Sequence, residues 1–215
     1  MYTKQYGDLF KLIQSLAGVG TFATSEKDDI NNFINRRFEE AYNRSPSWPR
    51  YQRLEERTVL GTNPVSLLDA AHVPFSASSK TPVDEFIRIY KTQPFLKNSA
   101  LEYDFTVDSN GANLLNASPV PTTVFALFKA RPGLPIALPA DPETSTVEIP
   151  SEFFYFIAHG AYADFLRMDG QTDKGLVEEQ IAEKYLATEL EKIDIRNNNN
   201  NSLKKFSTYV NRQSR

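Results

Sequence analysis

The sequence predicts an α+β chain. The expected fold is a helical bundle, made of N-terminal helices plus a C-terminal helical hairpin, with an inserted small antiparallel β module and a flexible C-terminal arm. Three observations carry this expectation. Apolar residues recur at helical spacing before about residue 45 and again after Pro150. From about 55 to 149 the pattern drifts toward period two, and most of the 13 prolines fall there. Five consecutive asparagines, Asn197 to Asn201, then separate the last helix from a short basic tail. The expected segments are 1–54, 55–149, 150–196 and 197–215.

The first helix is expected over 4–17, with Tyr6, Leu9, Phe10, Ile13 and Leu16 on one face and Gly18 and Gly20 ending it. Asp8, Lys11 and Gln14 interrupt this apolar stretch, so a secretory signal is not expected. A second helix follows Thr24-Ser25, with Asp28 three residues beyond Ser25 as a variant capping box. Its apolar face is Ile30, Phe33, Ile34, Phe38 and Ala41, and Ser45-Pro46-Ser47-Trp48-Pro49 stops it.

Strands are expected at 84–91, 101–107 and 122–129. Leu101, Tyr103, Phe105 and Val107 alternate cleanly, and Asp108-Ser109-Asn110-Gly111 supplies a hairpin turn. Pro132 to Pro142 reads as loop, with a short extended piece at 146–149. After Pro150 a helix carries Phe153, Phe154, Phe156, Ile157, Ala161, Phe165 and Leu166. A turn at Asp169 to Asp173 leads into a helix over about 174–195.

Composition narrows the chemistry. The 215 residues include no cysteine, which excludes thiol catalysis, disulfides and cysteine-bound zinc. The formal charge of −3 argues against a general nucleic-acid binder. No run of about 18 apolar residues occurs, so a membrane span is not expected and the chain reads as soluble.

Of the two histidines, His159 is the catalytic candidate, with Glu152, Asp164 and Asp169 as carboxylates near it in sequence. No nucleophile motif accompanies it, and a structural histidine is the simpler expectation. His72 lies in a proline-flanked loop. The DGQTDKG turn at 169–175 lacks the ligand spacing of a calcium loop. It reads instead as a helix end at Gly170 with Thr172 or Asp173 capping the next helix. No cofactor or metal is expected.

Two charged stretches remain. Asp173 to Asp194 holds seven acids against three lysines. The tail carries Lys204, Lys205, Arg212 and Arg215 without an acid, interleaved with Leu203, Phe206, Tyr209 and Val210. Apolar residues are scarce in purely solvating tails, which suits an arm that orders on a partner. In the helix after Pro150, the small residues Ala158, Gly160, Ala161 and Ala163 allow a neighbouring backbone to come close. Phe153, Phe156, Ile157, Gly160, Ala161 and Phe165 are therefore candidates for packing, either within a helical hairpin or between copies of the chain.

The order of parts carries a resemblance. It runs from "DDINNFINRRFEEAYNR" through a β insertion ending "TTVFALFKARPG" to "IPSEFFYFIAHGAYADFLRMDGQTDKGLVEEQIAEKYLATEL". This layout resembles the head-to-tail adaptor (connector or neck) proteins of tailed bacteriophages, in particular the tubular-tail type of short-tailed phages. The matching positions are Ile30 to Arg44, then Ile149, Pro150 and Phe153, the run 158–163, and Gly175 to Ile193.

The resemblance implies a non-enzymatic virion structural protein, assembled in the host bacterial cytoplasm. It implies a ring of about twelve copies under the portal protein, joined to a downstream tail or nozzle protein. Double-stranded DNA would pass through its channel without sequence-specific binding, which favours a lumen with little phosphate grip. The C-terminal segment would dock on the portal, through Leu203, Lys204, Lys205, Phe206, Tyr209, Arg212 and Arg215. Two alternatives are a head-completion (stopper) or other tail-completion protein, and an enzyme using His159 with nearby carboxylates.

Overall fold

The computed structural model describes residues 3–59, 72–75, 81–94 and 101–213; the side chains of 72–74 and 196–213 lie outside that description. Among the described residues the chain combines four α-helices with small antiparallel sheets. It divides into two compact units. One joins the residues up to Ser45 with those from Gly133 onward, and the other is Pro46–Pro132. The boundaries thus fall at 45/46 and 132/133 rather than at 54/55 and 149/150. The difference arises because strand β2 begins already at Gln52, and because the segment after Gly133 packs on the helices.

In the helical unit, β1 (Thr3–Gln5) pairs with β8 (Glu148–Pro150) ahead of helix α1 (Tyr6–Ala17). The extended piece expected at the end of the β module therefore belongs here. Tyr6, Leu9, Phe10 and Ile13 are fully buried, as their spacing requires, and Gly18 closes α1 at φ 69°. Helix α2 (Thr24–Asn43) starts two residues earlier than the expected box. Its flanking residue is Ala23, whose N–H is accepted by Glu26 at 2.7 Å, not Ser25 with Asp28. Ile30, Ile34, Phe38 and Ala41 line its buried face. Between the helices, Tyr6 donates to Asn31 (2.9 Å) and Asn31 donates to the Ile136 carbonyl (3.2 Å), satisfying two buried polar side chains.

Helix α3 (Phe154–Met168) is the centre of this unit. It packs on α1, on α2 and on α4 (Thr172–Gln213). Phe153 meets Phe38 edge to face at 5.6 Å, and Phe165 meets Phe22 at 5.5 Å. The chain does not leave the helix at Asn197 to Asn201, where a flexible linker is expected; α4 runs on to Gln213. Asparagine costs a helix only about 0.7 kcal/mol per residue, and neither Gly nor Pro occurs after Gly175 to stop it. No described helix is long and apolar enough to cross a membrane.

The other unit holds two three-stranded sheets. One has the order β2 (Gln52–Thr58), β7 (Thr123–Ala130), β4 (Val83–Tyr90). The other has the order β3 (His72–Pro74), β6 (Gly111–Leu114), β5 (Phe105–Asp108). The two-residue hairpin between β5 and β6 follows the Asn-Gly signal, with Asp108 accepting the N–H groups of Asn110 (2.7 Å) and Gly111 (3.1 Å). Val83, Phe86, Ile89, Ala112, Leu114, Val124, Ala126 and Phe128 form its core.

The strand expected at 101–107 is broken. Only a bridge between Glu102 and Tyr90 precedes β5. Its expected apolar face is not wholly inward, since Leu101 and Val107 are 63% and 52% exposed while Tyr103 and Phe105 lean on the core.

Candidate functional site

The densest polar chemistry of the helical unit lies where α2, α3 and α4 meet, and α2 supplies its centre. Arg37 stands three residues after Ile34 and one before Phe38, on the edge of the apolar face, and is only 4% exposed. Gly160 of α3 makes room for it: a Cβ there would lie 2.9 Å from the Arg37 Cδ and 3.0 Å from its Nε. The helix cost of that glycine, about 1 kcal/mol against alanine, is offset by seating a buried guanidinium.

Two carboxylates meet this cation. Asp164, one turn beyond Gly160 on α3, accepts from Arg37 Nε (2.9 Å) and Nη2 (2.8 Å). Glu179 of α4 accepts from Nη1 (2.7 Å) and Nη2 (2.8 Å). Glu40 adds a contact at 3.0 Å, Arg36 pairs with Asp164, and Arg167 reaches Glu179 at 2.7 Å. A guanidinium forked onto two carboxylates is among the stronger polar arrangements a protein makes.

The electrostatics agree with the geometry. Burial alone would depress the Arg37 guanidinium, but hydrogen bonds and charge from Glu179 and Asp164 outweigh it and hold it above its ordinary value. The Arg37 hydrogen bond is the main reason Glu179 stays below the usual carboxylate range, with Arg167 adding to it and burial opposing. Further along, Glu183 of α4 accepts from Arg44 of α2 at 2.6 Å.

His159 sits on another face of α3. Its Nδ1 lies 2.8 Å from Glu178 Oε2, and its ring stacks on Tyr185 at 5.4 Å; Tyr185 stacks in turn on Tyr155 at 5.1 Å. The carboxylate that reaches it comes from α4 and is none of the three near it in sequence. Asp164 is engaged by the arginines, Asp169 accepts from Gln171 (3.0 Å), and Glu152 accepts from Ser151 (3.2 Å). The pair and stack join α3 to α4. His72 contributes backbone to β3, opposite Asn113.

The DGQTDKG turn ends α3 at Gly170, φ 79°, with the Gln171 N–H returning to the Leu166 carbonyl at 2.8 Å. Neither Thr172 nor Asp173 caps α4. Thr172 is already helical, and Gln171 flanks the helix, its carbonyl accepting from the Gly175 N–H at 3.0 Å. Among the described residues no group of His, Asp or Glu side chains is arranged to hold a metal ion.

The six packing candidates lie inside the helical unit. Phe153, Phe156, Ile157 and Ala161 are wholly buried, Gly160 faces Arg37, and Phe165 lies against Phe22. They serve the packing of this chain's own helices, so a ring contact would have to use other residues. Helix α4 comes close to α3 at Gly175, where a Cβ would lie 3.0 Å from the Ala163 carbonyl oxygen. Of the docking candidates, Leu203, Lys204, Lys205, Phe206, Tyr209 and Arg212 fall on the distal part of α4, with side chains outside the described residues. Arg215 lies outside them altogether.

The Arg37 cluster is what sequence reasoning missed. Its signal was the second of two adjacent arginines, Arg36 and Arg37, set beside an apolar face. No protein-family model matches the chain, and no curated protein sequence matches it.

Proposed function

We propose that this chain is a virion structural protein, a head-to-tail adaptor that forms a ring under the portal vertex and joins capsid to tail. The observation that carries the reading is the layout. Both ends of the chain build one helical unit, and a β unit is inserted between Ser45 and Gly133. The helices that carry the resemblance, Ile30 to Arg44 and Ile149 to Ile193, are the ones joined by the Arg37 cluster. That cluster holds α2, α3 and α4 together.

In this reading about twelve copies close a ring. The distal part of α4 and its basic residues dock on the portal protein, and the β unit meets the downstream tail or nozzle protein. Double-stranded DNA passes through the channel without being read. Each docking segment adds little alone, but a ring presents many at high effective concentration, so binding is steep in ring integrity.

Removing residues 197–215 tests the docking step. The truncated chain is expected to keep its fold and to lose binding to purified portal rings by a hundredfold or more, on the order of avidity effects. Full portal binding by the truncated chain would refute docking through this segment.

A further inference from the structure

Helix α4 is attached differently from the other three. Over its described side chains, 172–195, only Ala182, Leu186 and Ile193 are buried apolar residues. The shorter α3 buries Phe154, Phe156, Ile157, Ala158, Ala161, Ala163 and Leu166. Ile181 and Leu190 are half-buried, Tyr185 stacks on His159 and Tyr155, and much of the remaining attachment is charge. Glu178 meets His159, Glu179 meets Arg37 and Arg167, and Glu183 meets Arg44. All three carboxylates fall within two turns, and their partners lie on α2, on α3 or, for Arg44, just past the end of α2. The tight backbone approach at Gly175 lies at the turn end of the helix, next to the left-handed Gly170.

We propose that α4 is a strap that unlatches as a unit, hinging at Asp169–Gln171, while α1, α2 and α3 stay folded. Those three helices and the residues flanking them share their own aromatic contacts: Phe10 with Phe22, Phe22 with Phe165, and Phe38 with Phe153. None of these contacts needs α4. Segments held by few apolar contacts open sub-globally, ahead of the core they rest on. Opening presents Arg37, Arg44 and Arg167 to whatever carboxylates replace Glu179 and Glu183, so the partner chemistry that fits is an acidic helix. A second copy's α4 carries that same acidic row. The inference rests on the helical unit alone and stands whether or not the chain is an adaptor.

Hydrogen exchange on the full chain, read by mass spectrometry, tests it. Amides of 176–193 are expected to exchange at least about tenfold faster than those of 156–166, with a weaker dependence on denaturant. Arg167→Met removes one partner of Glu179 and should speed α4 exchange by a further factor of about ten while leaving α3 unchanged. Arg44→Ala, at the exposed rim, should give about two- to fivefold on α4 alone, and it provides the readout if Arg167→Met does not fold. Equal exchange of α3 and α4 with the same denaturant dependence, or equal acceleration of both in either variant, overturns the strap.

Discussion

Replacing Arg37 by methionine should be the most damaging single polar substitution in the helical unit. The change keeps much of the side chain's bulk and removes the charge. Five hydrogen bonds go with it, two to Asp164, two to Glu179 and one to Glu40. The larger loss is on the acceptor side, because the Asp164 side chain is only 3% exposed and cannot rehydrate in place. Stranding one partner of a buried ion pair costs about 3–5 kcal/mol. Arg36 and Arg167 still neighbour Asp164, which places the expected cost near the low end, about 3 kcal/mol.

Urea unfolding followed by circular dichroism at 222 nm reads the helical unit. With a denaturant slope of about 1–3 kcal/mol per molar, the midpoint should fall by about 1–3 M. Trp48, the sole tryptophan, lies in the β unit and reports the unfolding of that unit separately. Replacing Arg37, Asp164 and Glu179 together by Met, Leu and Met should recover most of the loss, because no charge is then left buried without its counter-ion. A midpoint shift under about 0.3 M for Arg37→Met would refute the reasoning, as would a triple variant worse than the single one.

Further outcomes follow from the same geometry. Gly160→Ala should destabilise by about 1–3 kcal/mol in a thermal melt despite better helix propensity, because Arg37 is pinned at both ends and cannot yield to the new methyl. Gly170→Ala forces an L-residue to φ 79° and should cost about 1–2 kcal/mol, read by the same melt. The folded chain holds Glu179 below its ordinary value, so its contribution is present above the unfolded carboxylate value, about pH 4.3, and is lost as pH falls through the depressed one. The stability gap between the natural chain and Glu179→Gln should therefore narrow as pH falls below the unfolded carboxylate value, and a gap independent of pH would contradict it.

Much of the fold was legible because single faces dominate. The spacing of Tyr6, Leu9, Phe10 and Ile13 left α1 no other face to bury, and the Asn-Gly pair at 110–111 set the β5–β6 hairpin. What failed did so where tertiary context outweighed local pattern. The alternation from Leu101 to Val107 looked like a half-buried strand, yet among the described residues Leu101 and Val107 stay exposed. Asn197 to Asn201 looked like a linker by propensity alone, but a weak local preference does not end a helix that nothing else breaks. Strand β2, with the charged sequence QRLEERT, showed little alternation because it lies at one side of its sheet.

The candidate site was less legible than the fold. Small residues on α3 pointed to close packing, but not to an arginine from α2 as the group packed there. His159 drew attention as the rarer residue type. Its partner Glu178 lies 19 positions away on another helix, beyond any local search for a carboxylate. The charges that matter, Arg37, Asp164 and Glu179, sit on three elements and become a cluster only when folded.

The adaptor reading meets its most direct test when the full chain is mixed with purified rings of a phage portal protein, and the product is imaged by electron cryomicroscopy. The account predicts a closed ring of this chain seated under the portal, with the distal part of α4 against portal subunits. Portal rings that stay bare at saturating concentrations of the folded chain would contradict it.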